Sequence, residues 1–316
     1  MSNLFLSTSI SLRRNFADLP FPNKMSPLQK EASFARVSQA VDEYGDVNAS
    51  REAAGRSMPS LLRAFQENPG NGSVLQVKGD PENISVFINH QDGVILSITS
   101  GGEIDAQTIE ALYQVESIVF RANPAAQDEQ IGYLTSRPLL AGTGAQIHYV
   151  LHLPIMTTLK QIERTATEIE QNHACLVAPI RQADEKNHAC LYIVSNKRTS
   201  LSIGEMQNQV REAAEMLAAK EKLLAEKMFN NPESILIDQV FRAYGILKNA
   251  RRMNEREFLT LWSSLRMGAE NQVISVPLPL IDRLLQDAIP EAAESGQKKI
   301  SNYQRAERIR RRMEEK

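Results

Sequence analysis

Cysteine is nearly missing from this chain. Cys175 and Cys190 are the only two in 316 residues, with no CxxC pair and no neighbouring ligand cluster. That excludes a disulfide framework, leaves no metal site to expect, and fits a reducing compartment, so a cytoplasmic location is expected. Long apolar runs are also lacking: none approaches the roughly 20 residues that cross a bilayer. MSNLFLSTSISLRRN has no basic stretch ahead of its short apolar run, so neither a signal peptide nor a membrane span is expected. Charge of one sign is lacking too. Lys plus Arg is 36 against Asp plus Glu 38, a net −2, which gives no global field to draw in nucleic acid or an anionic membrane. What remains is an ordinary globular balance, 42% apolar and 23% charged, with material for two domains or one large one.

Residues 1–27 read as irregular, rich in Ser, Asn and Pro, and FADLPFPNKMSP holds too many prolines for a helix interior. Helical spacing runs from Leu28 to about Tyr44, and a short helix is expected over 57–65. The ENPGNGS loop at 67–73 is a candidate boundary. Three strands follow at Val74–Lys78, Ile84–Asn89 and Val94–Thr99, joined by turn-forming Gly79-Asp80-Pro81 and His90-Gln91-Asp92-Gly93, which makes an antiparallel meander. An amphipathic helix is expected over Asp105–Arg121.

The stretch GYLTSRPLLAGTGAQIHYVLHLP, 132–154, holds a compact loop, a glycine turn and an alternating run. Ile147, Tyr149, Leu151 and Leu153 fall on one face of that run, and Gln146, His148, Val150 and His152 on the other. Period two predicts a strand whose polar, histidine-bearing face can wall a site. Pro154 then opens a helix to about Asn172. Two more strands are expected near 174–180 and 189–194, and Ser202-x-x-Glu205 is a capping box starting a helix towards Phe229. From Pro232 only helical spacing remains, over 234–249, 254–267, 278–289 and 299–316. The expected class is α+β, an antiparallel sheet flanked by helices, with an abbreviated N-terminal helical region (1–72), a main domain (73–232) and a separate C-terminal helical bundle (233–316).

Three motifs carry a resemblance: STSISLRRN (7–15), ISVFINHQDGV (84–94) and GYLTSRP…GTG…HLP (132–154). They resemble, in order, those of the guanidino phosphotransferases, and within them the bacterial protein-arginine kinases. DQVFRAYGIL (238–247), LRMGAE (265–270) and YQRAERIRRRM (303–313) are similar to the C-terminal region of that group. The resemblance implies the guanidino-kinase fold, with the part between Met25 and Val74 shorter than the family's. It implies ATP with magnesium as the cofactor of an active member, with phosphoryl transfer to arginine side chains. Such transfer needs cations around the phosphates, best supplied by planar arginine forks, and carboxylates on the guanidinium, one of which takes its proton.

The positions matching that machinery differ here. Where the resemblance implies nucleotide-binding residues, this chain has Ser7, Thr8, Ser9, Ser11, Arg14, Ile95, Gln146, His148 and Ala178; Ser9, Ser11, Ile95, Gln146 and Ala178 replace arginines. The catalytic glutamates fall at Gln91 and Ala183, and the cysteine at Arg137. The family's histidine in the 84–94 motif becomes Gly93. A single lost charge-stabilising donor can cost roughly 3–4 kcal/mol of barrier, by analogy with oxyanion-hole donors. Arg13, Arg137 and Arg181 are new cations, and Glu82, Asp92, Asp184 and Glu185 nearby acids. A phosphoarginine-binding motif of the last helix is kept only at Arg305 and Ala306. The expectation is therefore an inactive kinase-fold protein that binds a partner kinase, chaperone or protease, and can dimerise through its C-terminal helices. The alternative is an active but divergent protein-arginine kinase using relocated residues such as Arg137 and Glu185. RAERIRRRMEEK reads as an ion-paired solvated helix rather than a nucleic-acid patch.

Overall fold

The computed structural model describes residues 3–43, 47–48, 73–77, 84–181, 186–197, 199–289 and 300–314. The expected helix over 57–65, the loop at 67–72 and the turn at 79–81 lie outside them. In chain order the strands are β1 (Phe5–Arg14), β2 (Val47–Asn48), β3 (Ser73–Val77), β4 (Ile84–Ile88), β5 (Val94–Ser100), β6 (Gln127–Asp128), β7 (Gly132–Tyr133), β8 (Ala145–His152), β9 (Cys175–Pro179) and β10 (Leu191–Asn196). The helices are α1 (Pro27–Glu43), α2 (Ala106–Val119), α3 (Pro154–Thr158), α4 (Ile162–His173), α5 (Ile203–Phe229), α6 (Ile235–Asn249), α7 (Glu255–Glu270), α8 (Leu278–Ala288) and α9 (Asn302–Glu314).

Eight strands form one sheet in the order β2-β3-β4-β5-β1-β8-β10-β9, and β6 pairs with β7 in a small ribbon. The meander β3-β4-β5 is as expected. The irregular segment expected over residues 1–27 is instead the home of a central strand: β1 lies between β5 and β8, antiparallel to both. Period two explains it. Ile10 and Leu12 are fully buried, while Ser9 and Ser11 alternate to the other face. The single helix expected from Pro154 to Asn172 is two, α3 and α4. Lys160 adopts φ 55°, and the Gln161 N–H closes on the Met156 carbonyl at 2.9 Å, which ends the first helix.

One face of the sheet is covered by helices among the described residues. Ile10, Leu12, Leu96, Ile98, Ile147, Tyr149 and Val194 pack there with Leu112 and Val115 of α2 and Met206, Val210 and Leu217 of α5. The other face is divided. At its β8–β10 end, Val150, Leu191 and Ile193 share a core with Phe258, Leu259 and Trp262 of α7 and Ile281, Leu284 and Leu285 of α8. The C-terminal bundle is thus built onto the sheet rather than standing separately. Arg266 of α7 fastens the join: it donates to Asp282 at 2.9 Å, to the Asn3 carbonyl at 2.8 Å, and to Glu270. Gly268, in the same helix, lets α6 approach, since a Cβ there would meet Val240 Cγ1 at 2.2 Å.

Glu221 of α5 holds the start of α3. Its carboxylate accepts the Ile155 and Met156 N–H groups at 2.7 and 2.8 Å, two donors that a helix start leaves unpaired. Burial pushes Glu221 up to about 7 from its ordinary 4.5, against the pull of those N–H groups. The folded state therefore holds this proton more tightly than the unfolded chain, so stability falls as pH rises from about 4.5 to about 7. Urea unfolding across that range should show a slope that flattens in Glu221→Gln; an unchanged slope would assign it elsewhere. Gly268→Ala gains about 1 kcal/mol of helix propensity against about 1–3 kcal/mol of overpacking. A net loss of stability is expected in the same assay, and a gain would show that α6 yields freely.

Candidate functional site

Asp92, in the β4–β5 turn, is fully buried and is the hub of the loop cluster. One carboxylate oxygen accepts the Asn15 side-chain amide at 2.8 Å, the Ser136 N–H at 2.6 Å and the Ser136 hydroxyl at 2.8 Å. The other accepts Arg13 Nη1 at 3.3 Å. Asn15 in turn accepts the Gly93 N–H at 2.8 Å and donates to the Leu134 carbonyl at 3.1 Å. The end of β1, the β4–β5 turn and the 134–136 loop are thereby one hydrogen-bonded unit. Gly144 closes it. At φ 62° its backbone lies so close to β1 that a Cβ would meet Arg14 Nη1 at 2.5 Å and the Arg13 carbonyl at 2.7 Å.

Strand alternation sorts the candidate residues. Ser7, Ser9, Ser11, Ile95, Gln146, His148 and Ala178 share the divided face, as register pairs such as Ser9 with His148 and Ser11 with Gln146 require. Thr8 and Arg14 point to the helix-covered side, where Thr8 lies opposite Tyr149 and Arg14 opposite Val94. Ser7 is buried, Ile95 is buried against Phe87, and Ala178 is exposed near the sheet edge. Gln91 is exposed, and its carbonyl lies beside the Ser136 hydroxyl. Arg137 is exposed on the loop. Ala183 lies outside the described residues, as do Glu82, Asp184 and Glu185.

The arrangement of β8 corrects one expectation. His148 and Gln146 do face the open part of the sheet, but His152 lies beneath the bundle. Its Nε2 is 2.9 Å from the Ser263 hydroxyl, its Nδ1 3.3 Å from Glu270, and its ring 5.4 Å from that of Trp262. Burial, then Arg266, holds it well below its ordinary pKa, so it is a neutral bonding residue of the interface. Cys175 is a buried core residue and burial raises its thiol to about 11; Cys190 is half-buried just before β10, with φ 53°.

The electrostatics of the open face are set by internal pairing. Arg13 is 1% exposed and bonds Asp92 and Gln146 Oε1, the latter at 3.1 Å. Burial lowers its pKa, Asp92 opposes that, and Arg137 adds to it. Arg14 is 2% exposed, pairs with Glu116 at 2.5 Å, and donates to the Arg13 and Thr143 carbonyls. Burial, then Arg13 and Arg137, pushes His148 down to about 4, so the ring is neutral near pH 7. In the bundle Arg305 is equally engaged, donating to the Ala288 and Met253 carbonyls at 2.9 and 3.2 Å, with Ala306 buried beside it.

Residues 61–224 match the model of the ATP:guanido phosphotransferase C-terminal catalytic domain. The chain belongs to that family. Residues 233–316 match the model of the protein-arginine kinase McsB C-terminal domain. Among its relatives is a protein-arginine kinase of Clostridium novyi (strain NT), 26% identical over 96% of this chain and 91% of that one. Another is a protein-arginine kinase of Bacillus subtilis (strain 168), 26% identical over 86% and 78%. The fold is similar to the duplicated taurocyamine kinase of Schistosoma mansoni (TM-score 0.56, 15% identity, 78% of this chain and 39% of that one) and to a lombricine kinase (TM-score 0.54, 12% identity, 72% and 69%). This chain thus spans well under half of the duplicated kinase. Within the family's frame, Asn15 and Asp92 are the residues whose importance sequence reading missed. Removing Asp92 takes the carboxylate away from the buried Arg13 charge, so Asp92→Ala should cost about 3–5 kcal/mol in chemical denaturation. A loss below about 1 kcal/mol, the level of an exposed pair, would show that the hub is not structural.

Proposed function

We propose that this member of the ATP:guanido phosphotransferase family does not transfer phosphate, and that it acts by binding, as a regulatory module for a partner kinase, chaperone or protease. One observation carries the reading: the arginines of β1 are spent on internal partners. Arg13 is held by Asp92 and Gln146, and Arg14 by Glu116 and two carbonyls. Ser9, Ser11, Ile95 and Ala178 offer no positive charge where the family has arginines. These residues do not fit a magnesium–triphosphate group, whose charge needs several free cations. Asp92 is no substitute base, because its four bonds and complete burial keep it from a substrate.

Incubation with ATP, magnesium and an arginine-bearing protein, followed by phosphoarginine mass spectrometry, should show no transfer. Robust transfer would overturn the proposal. Transfer abolished by Arg137→Ala would establish instead an active, divergent protein-arginine kinase, for which the exposed Arg137 on the site loop is an available cation.

A further inference from the structure

Behind β1, on the helix-covered side, a cavity of about 410 Å³ opens between α2, the 124–127 segment and β7. It is separate from the open face, because the Arg14 side chain, which bonds the lining residue Glu116, leaves β1 on the side opposite Ser9, Ser11 and Arg13. Three aromatic residues line it: Tyr113, Phe120 and Tyr133. Tyr113 is 39% exposed, so the mouth is accessible. Glu116, one of the lining residues, is buried, and one of its carboxylate oxygens takes the Arg14 Nε–H. The Arg14 guanidinium lies 3.5 Å from the Tyr133 ring centroid, so this ring already carries a cation on one face.

Two features select for positive charge. Aromatic rings attract cations over their faces, more strongly where water is excluded. The exposed residues next in sequence to the lining are mainly acidic: Glu110 stands one helical turn before Tyr113, and Asp128 and Glu129 follow Gln127, while Arg121 follows Phe120. Burial first, then Glu116, raises the pKa of Tyr113 and Tyr133 while Arg14 opposes it, and the Glu116 charge is itself met by Arg14, so the selection rests on the rings and the surface acids. The apolar walls suit the stem of a long basic side chain, and the acids suit its head.

We propose that this cavity receives a cationic side chain, arginine or lysine, presented by a partner polypeptide. The proposal stands whether or not the open face transfers phosphate. The full chain, labelled at its tyrosine rings, is titrated with N-acetyl-arginine amide, N-acetyl-lysine amide and the neutral isostere N-acetyl-citrulline amide, and followed by NMR. Both cations should shift the Tyr113 and Tyr133 resonances saturably, with citrulline weaker by about fivefold, the equivalent of ~1 kcal/mol of cation–ring attraction. Tyr113→Ala should weaken both cations by about two- to fivefold with an unchanged circular dichroism spectrum. Gln127→Lys, a surface change that sets a like charge at the mouth, should weaken the cations and spare citrulline. Equal binding of citrulline, absence of saturable shifts, or cation affinities unaffected by Gln127→Lys would each overturn the proposal.

Discussion

The loop architecture of this protein depends on one buried carboxylate. Asp92 has no solvent to satisfy it, so its four hydrogen bonds must all come from protein. Those bonds draw together three segments far apart in the chain. A buried anion is costly in isolation, but it is tolerated when donors surround it and an arginine supplies the opposite charge. The same pairing withdraws Arg13 from any other task. Structural satisfaction and loss of a free cation are here two aspects of a single contact.

The sheet divides labour between its faces. The helix-covered face holds the main core, and its apolar residues alternate with those of the other face strand by strand. That second face is shared between the C-terminal bundle, over Val150, Leu191 and Ile193, and a strip of small polar residues from β5, β1, β8 and β10. Ser9, Ser11, Ser97, Thr99 and Ser195 make the strip hydroxyl-rich and uncharged. His148, neutral near pH 7, adds no charge to it.

Much of this was legible in the sequence. The β3–β5 meander, the capping box of α5 and the C-terminal helices all carry local signals: turn residues, Ser202 with Glu205, and 3.6-residue periodicity. The family motifs gave the fold. β1 was not legible, because serine is a weak strand former and three serines among ten residues resemble a loop; its stability comes from neighbours on both sides. The left-handed Lys160 that splits α3 from α4 has no residue-type signature. Period two put His152 on the same face as Gln146 and His148, but nothing within a strand encodes which part of its face another element will cover. The Asp92 hub was invisible for a related reason, since Asn15 and Arg13 reach it across 77 and 79 positions of chain.

The serines of β1 bear on how this face of the sheet holds together. An arginine at Ser9 or Ser11 would stand on the same face as Arg13, with no carboxylate among their cross-strand neighbours Thr99, Ser97, His148 and Gln146. Like charges so placed repel one another, and a bound polyanion would be the natural counterweight. Hydroxyls need none. The sheet can therefore close around neutral neighbours, and this part of the fold is uncoupled from whether any anion is present.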